Sequence, residues 1–122
     1  MAAFQSIKSF IEELKQKYDN ISKINVLFTN FMVSKYGKLT IQPTVVIVNN
    51  NQKIDCNNWL NTSLKSDNFK HGKVYSLDVI PEPKQFNELT YYPQYCREVF
   101  NEKVVRAVKS KSDEELSELI EN

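Results

Sequence analysis

The chain has 122 residues, 41% hydrophobic and 11% aromatic, which is enough for the core of one domain and too little for two. Sixteen Lys and Arg against fifteen Asp and Glu leave a formal charge of +1, excluding the broad positive excess of a protein that grips phosphate backbones over its whole surface. No run approaches the ~18 apolar residues of a membrane span, and Met1 to Phe10 lack the cationic-then-apolar pattern of a secretory signal, so an intracellular protein is expected.

In chain order, Ile7, Phe10, Ile11, Leu14 and Tyr18 fall on one face of a helical wheel, which predicts an amphipathic helix over about residues 4–18. Lys23 to Ser34 is β-branched and aromatic and predicts a long first strand. Lys35-Tyr36-Gly37-Lys38 supplies its turn, with Gly37 expected to take a positive φ. Leu39 to Ile41 extends a hairpin before Pro43. Thr44 to Val48 is a second apolar strand, and Asn49 to Gln52 suits a tight turn tolerant of left-handed geometry.

A third strand is expected over Lys53 to Leu60, where alternation directs Ile54 and Cys56 inward and Trp59 to the outer face. A polar stretch with Leu64 and Phe69 follows, read as a short helix or loop. Lys73 to Ile80 is a fourth strand, stopped by Pro81 and Pro83. Glu88 to Phe100 offers a fifth, interrupted by Pro93. Val104, Val105 and Val108 predict a helix, and Ser112-x-x-Glu115 before Leu116, Leu119 and Ile120 is a capping box opening another. One domain is thus expected: an N-terminal helix in residues 1–20, a β unit in 23–100 and a helical segment in 101–122.

Five strands with a central hairpin and helices at both ends follow the order of a five-stranded OB-fold barrel, mostly β with flanking amphipathic helices. The residues themselves resemble OB domains of the replication protein A type, eukaryotic single-strand binding proteins, and their telomeric relatives. Thr44 to Trp59 (TVVIVNNNQKIDCNNW) is similar to that family's second and third strands, and Lys70 to Tyr92 (KHGKVYSLDVIPEPKQFNELTYY) to its fourth strand, fourth loop and fifth strand. The resemblance covers about residues 24–100.

The resemblance implies a protein that binds single-stranded DNA or RNA, DNA foremost, as the small subunit of a replication protein A-like or telomere-associated complex, and a nuclear location. It places Trp59 at the stacking aromatic of the third strand, Phe86 in the loop between the last strands and Tyr36 in the loop between the first two, with Tyr92 a further ring. The cations it offers for the backbone are Lys35, Lys38, Lys53 and Lys84, a thin set. Stacked bases and lysines along a strand are the two needs of a sequence-tolerant single-strand site. Each ring also has a packing explanation: Trp59 could cover Leu64 and Phe69, and tyrosines can close a last strand.

The stripe Val104, Val108, Leu116, Leu119 and Ile120 offers a second role, a structural subunit that binds other OB subunits through its C-terminal helix; the same stripe would equally fold back on its own sheet. A small viral inhibitor of a host protein is a further alternative. Chemistry is not expected. His71 stands without an Asp or Ser at a recognisable spacing, Cys56 and Cys96 lack zinc-ligand spacing, and no phosphate-binding or hydrolase motif occurs, so neither enzyme activity, metal nor cofactor is anticipated.

Overall fold

The computed structural model describes residues 3–81, 84–86, 89–91, 94–100 and 102–121. The amphipathic segment near the start divides into a short strand, β1 (Phe4–Ser6), and helix α1 (Ile7–Lys17). The division falls at Ser6, whose extended backbone makes it an N-cap and whose hydroxyl accepts the Ser9 N–H at 3.1 Å. The expected first strand is β2 (Ile24–Val33), and Gly37, with φ +75°, turns it into β3 (Lys38–Val48). β3 runs unbroken through Pro43, because that residue pairs with Phe28 where the ladder shifts register and a missing N–H is tolerated.

The strand expected over Lys53 to Leu60 is two: β4 (Gln52–Ile54) and β5 (Trp59–Lys65). In β5 the inward positions are Leu60, Thr62 and Leu64. The polar Thr62 conceals the alternation in sequence, and its hydroxyl is satisfied by donating to the Leu39 carbonyl at 2.8 Å. A 3-10 turn at Ser66–Asn68 leads to β6 (Val74–Val79). A small hairpin of β7 (Lys84–Phe86) and β8 (Leu89–Tyr91) precedes β9 (Gln94–Phe100), and α2 (Glu102–Ser110) and α3 (Asp113–Glu121) complete the order. Ser112 caps α3 as expected, its hydroxyl accepting the Glu115 N–H at 3.3 Å and donating to the Glu115 carboxylate at 3.2 Å.

The main sheet has the order β1-β5-β3-β2-β6-β9, with β4 beside β3; β7 and β8 form their own ladder. It is mostly antiparallel, the exception being β1, which lies parallel to β5 with Phe4 opposite Trp59 and Ser6 opposite Asn61. The sheet is open, which corrects the expectation of a closed five-stranded barrel. Among the described residues no ladder joins β5 to β9, and the edge of β5 that a closing strand would use is taken by β1.

Both sheet faces are covered over the strand centres, so residues 24–28 of β2 are buried on two sides and are apolar except for Asn25, whose amide donates to the Asp78 carboxylate. On the inner face, Ile7, Phe10, Ile11 and Leu14 of α1 pack with Ile24, Val26, Phe28, Ile41, Leu60 and Leu77. Each fully buried side chain of this size contributes about 1.5–3 kcal/mol, so α1 is integral to the core. An aromatic group, Phe28, Phe31, Phe69 and Tyr75, fills one end of this layer, with Phe69 and Tyr75 edge to face at 4.8 Å and His71 stacked on Phe31 at 4.2 Å. On the outer face, Leu27, Val45, Ile47 and Val74 lie under Val105 and Val108 of α2 and Leu116 of α3. Among the described residues no helix is long and apolar enough to cross a membrane.

One asparagine ties the chain ends of these layers together. Asn49, at φ +52°, accepts the Ser22 and Lys23 N–H groups at 2.8 and 3.2 Å and the Ser22 hydroxyl at 3.0 Å, and donates to the Asn20 carbonyl at 3.0 Å. An alanine there loses all four bonds and keeps the left-handed backbone. Asn49→Ala is therefore expected to lower stability by about 1–3 kcal/mol in urea denaturation, and Asn49→Gly by less, because glycine takes that φ without strain.

Candidate nucleic-acid interface

α2 and α3 cover the outer face only above Leu27, Val45, Ile47 and Val74. Toward the β2–β3 turn the same face continues uncovered through Asn30 and Met32 of β2, Lys38, Thr40 and Gln42 of β3, Trp59, Asn61 and Lys65 of β5, and Phe4 of β1, all of them half-buried or exposed. Alternation explains why: their neighbours Phe31, Leu39, Ile41 and Leu60 point inward into the α1 layer. The result is a four-stranded surface that the described residues leave open.

The ladders bring these side chains into rows. Met32 pairs with Thr40, Thr40 with Asn61, and Asn61 with Ser6; one step along, Asn30 pairs with Gln42 and Trp59 with Phe4. The Thr40 hydroxyl is 2.9 Å from the Asn61 amide oxygen, while Asn30 and Gln42 are 3.4 Å apart, close to the limit of a hydrogen bond. The Trp59 and Phe4 rings stand 6.5 Å apart at a tilt of 32°, with Phe4 61% exposed. At the turn Tyr36 is 75% exposed with the Lys35 ammonium 5.1 Å from its ring centre, and Lys38 pairs with Lys65.

The charge of this surface departs from that of the whole chain. Residues 4–6, 24–48 and 59–65 carry charges only at Lys35, Lys38 and Lys65, all positive. These strands and the β2–β3 turn thus carry positive charge alone, and the nearest acid along the chain is Asp67, in the 3-10 turn that follows Lys65 and whose Ser66 N–H donates to the Gly37 carbonyl.

Of the residues expected from sequence, Trp59, Tyr36 and Lys38 lie on or beside this face. Lys53 does not. Its ammonium donates to the carbonyls of Lys109, at 2.6 Å, and Lys111, satisfying the C-terminal end of α2 and pinning β4 to the α2–α3 junction. Lys84 and Phe86 lie in the separate β7–β8 ladder, their side chains outside the described residues, as is Tyr92 entirely. The C-terminal stripe is spent on the chain's own sheet: Val108 and Leu116 are buried there, with Val104, Leu119 and Ile120 packed around them. Of the two readings of the stripe, folding back on the chain's own sheet accounts for Val108 and Leu116, while Val104, Leu119 and Ile120 stay half-buried. Phe4, Gln42, Asn61 and Lys65 were not anticipated; the polar positions of β5 and a three-residue strand give no periodic signal.

Neither cysteine adds a reactive group. Burial pushes the Cys56 thiol up, opposed by its hydrogen bonding with the Asn58 backbone and reinforced by the Glu13 charge, and burial with the Asp78 charge pushes Cys96 up to about 12. Both are therefore thiols at neutral pH, poor nucleophiles and poor metal ligands.

No curated protein and no solved structure matches the chain. A family model described as a protein of unknown function, DUF4108, matches residues 2–121, and the chain belongs to that family.

Proposed function

We propose that this chain is an OB-type module that binds single-stranded nucleic acid across the uncovered outer face of β2, β3 and β5. The observation that carries the reading is the half-buried Trp59 ring on the outer face of strands whose only charges are lysines. Stacking serves any base, and lysines follow a phosphate backbone without reading sequence.

The strand order supports the OB reading. Along β5-β3-β2-β6-β9 the neighbours are those of the third, second, first, fourth and fifth strands of an OB unit, opened between the third and fifth. OB modules take oligonucleotides on the face of their second and third strands, between the loop after the first strand and the loop before the last. Here those strands are β3 and β5. The first of these loops holds Tyr36, and the second leads through Lys84 and Phe86. The resemblance to replication protein A-type domains points the same way. A role in assembly through the C-terminal stripe would need Val108 and Leu116 twice, once in the core and once in the partner.

Trp59 is the single tryptophan, so its fluorescence reports this face alone. Titration with oligo-dT in low salt is expected to quench it. The log of the affinity should fall with log salt at a slope of about −2, near −0.7 for each phosphate neutralised by three lysines. Unchanged fluorescence and no binding in low salt would reject the reading.

A further inference from the structure

We infer that Phe4, on the N-terminal strand outside the OB-like unit, is a second base-stacking residue, so that β1 and β5 together form a two-ring platform for adjacent bases of a single strand. The inference rests on the nucleic-acid reading above and adds a residue, and a segment of chain, to its site.

The residues around Phe4 have evident structural tasks, whereas Phe4 does not. Gln5 is buried, accepting from the Asn58 amide at 3.0 Å and donating to the Ser9 hydroxyl at 3.3 Å. Ser6 caps α1. The Trp59 N–H donates to the Ala3 carbonyl at 2.9 Å, and the register fixes Phe4 directly beside Trp59. Backbone and both neighbours hold β1 in place, while the Phe4 ring stays 61% exposed on the outer face against the only other ring there, among the described residues of the four strands. An apolar ring this exposed contributes little to the core, and rings held on a rigid sheet are the arrangement by which sheet-based single-strand binders stack two or three bases. The amides of Gln42 and of Asn61, which lies opposite Thr40 two positions along β3 from Gln42, supply donors and acceptors on the same face. Lys38 and Lys65 lie farther along the same strands, toward the turn, where a backbone running across β3 and β5 would pass.

The test compares wild type, Phe4→Leu, Phe4→Tyr and Trp59→Ala by fluorescence anisotropy of labelled oligo-dT and of an abasic oligonucleotide of equal length. Leucine keeps apolar bulk on the strand and removes the π face; tyrosine keeps the face. Phe4→Leu is expected to weaken dT binding about fivefold or more, with Phe4→Tyr within about twofold of wild type and the abasic strand bound equally by all three. Equal thermal midpoints for the Phe4 variants exclude a folding effect. Phe4→Leu binding dT like wild type, or Phe4→Tyr failing with it, overturns the role of Phe4 while leaving the site at Trp59 intact. Wild type failing to bind dT overturns both.

Discussion

Trp59→Ala is expected to weaken oligo-dT binding by roughly 5- to 150-fold, the equivalent of one lost base stack at ~1–3 kcal/mol. Its effect on stability should be much smaller. The ring is half-buried at the start of β5, on the face opposite the α1 layer, and its ring neighbour is the exposed Phe4. Leu60, the next residue, carries the packing of this strand at 0% exposure. The two readouts therefore separate: binding falls while the urea midpoint moves little. Trp59→Phe keeps a smaller π face and is expected to lie between wild type and alanine. A Trp59→Ala protein that binds as tightly as wild type would move the ligand off this surface.

Phe28→Ala should do the opposite, destabilising the fold by about 3–5 kcal/mol before any effect on binding can be read. Phe28 is fully buried, 5.6 Å from the Tyr75 ring and 6.3 Å from the Phe69 ring. It also sits where β2 shifts register against β3 at Pro43, so the space left by its ring opens beside an irregular ladder. Since domains of this size are stable by only about 5–15 kcal/mol, such a loss consumes much of the total. Urea denaturation should show a lower midpoint with an unchanged slope, the mark of lost stability without a changed unfolded state. A loss under about 1 kcal/mol would mean that Phe69 and Tyr75 close over the gap.

What could be read from sequence, and what could not, follows from how each element is specified. β2 and β6 were legible because Ile24 to Phe28 and Val74 to Val79 are apolar enough to declare a strand without help from neighbours. The outward placement of Trp59 followed from period two. β5 was displaced because Thr62 occupies an inward position through a hydrogen bond to Leu39 that no local pattern encodes. β1 was hidden because three residues gain strand character only from β5, fifty-five positions later. Lys53 was read as a site cation because sequence cannot show the carbonyls of Lys109 and Lys111 that receive it. The lysine-only surface was masked for a related reason: Lys35, Lys38 and Lys65 converge through pairing, and net charge averages over that arrangement.

The position of β1 and α1 has a consequence in time. Both are synthesised before their partners: Trp59 to Asn61 for the strand, and strands extending to Val79 for the helix. At about 5–20 residues per second, the ribosome leaves the Ile7, Phe10, Ile11 and Leu14 stripe without its sheet for several seconds. Docking of β1 then closes a loop of fifty-five residues, from Phe4 to Trp59, so this segment waits on a distant partner before it settles. The surface that carries Phe4 is complete only once that has happened.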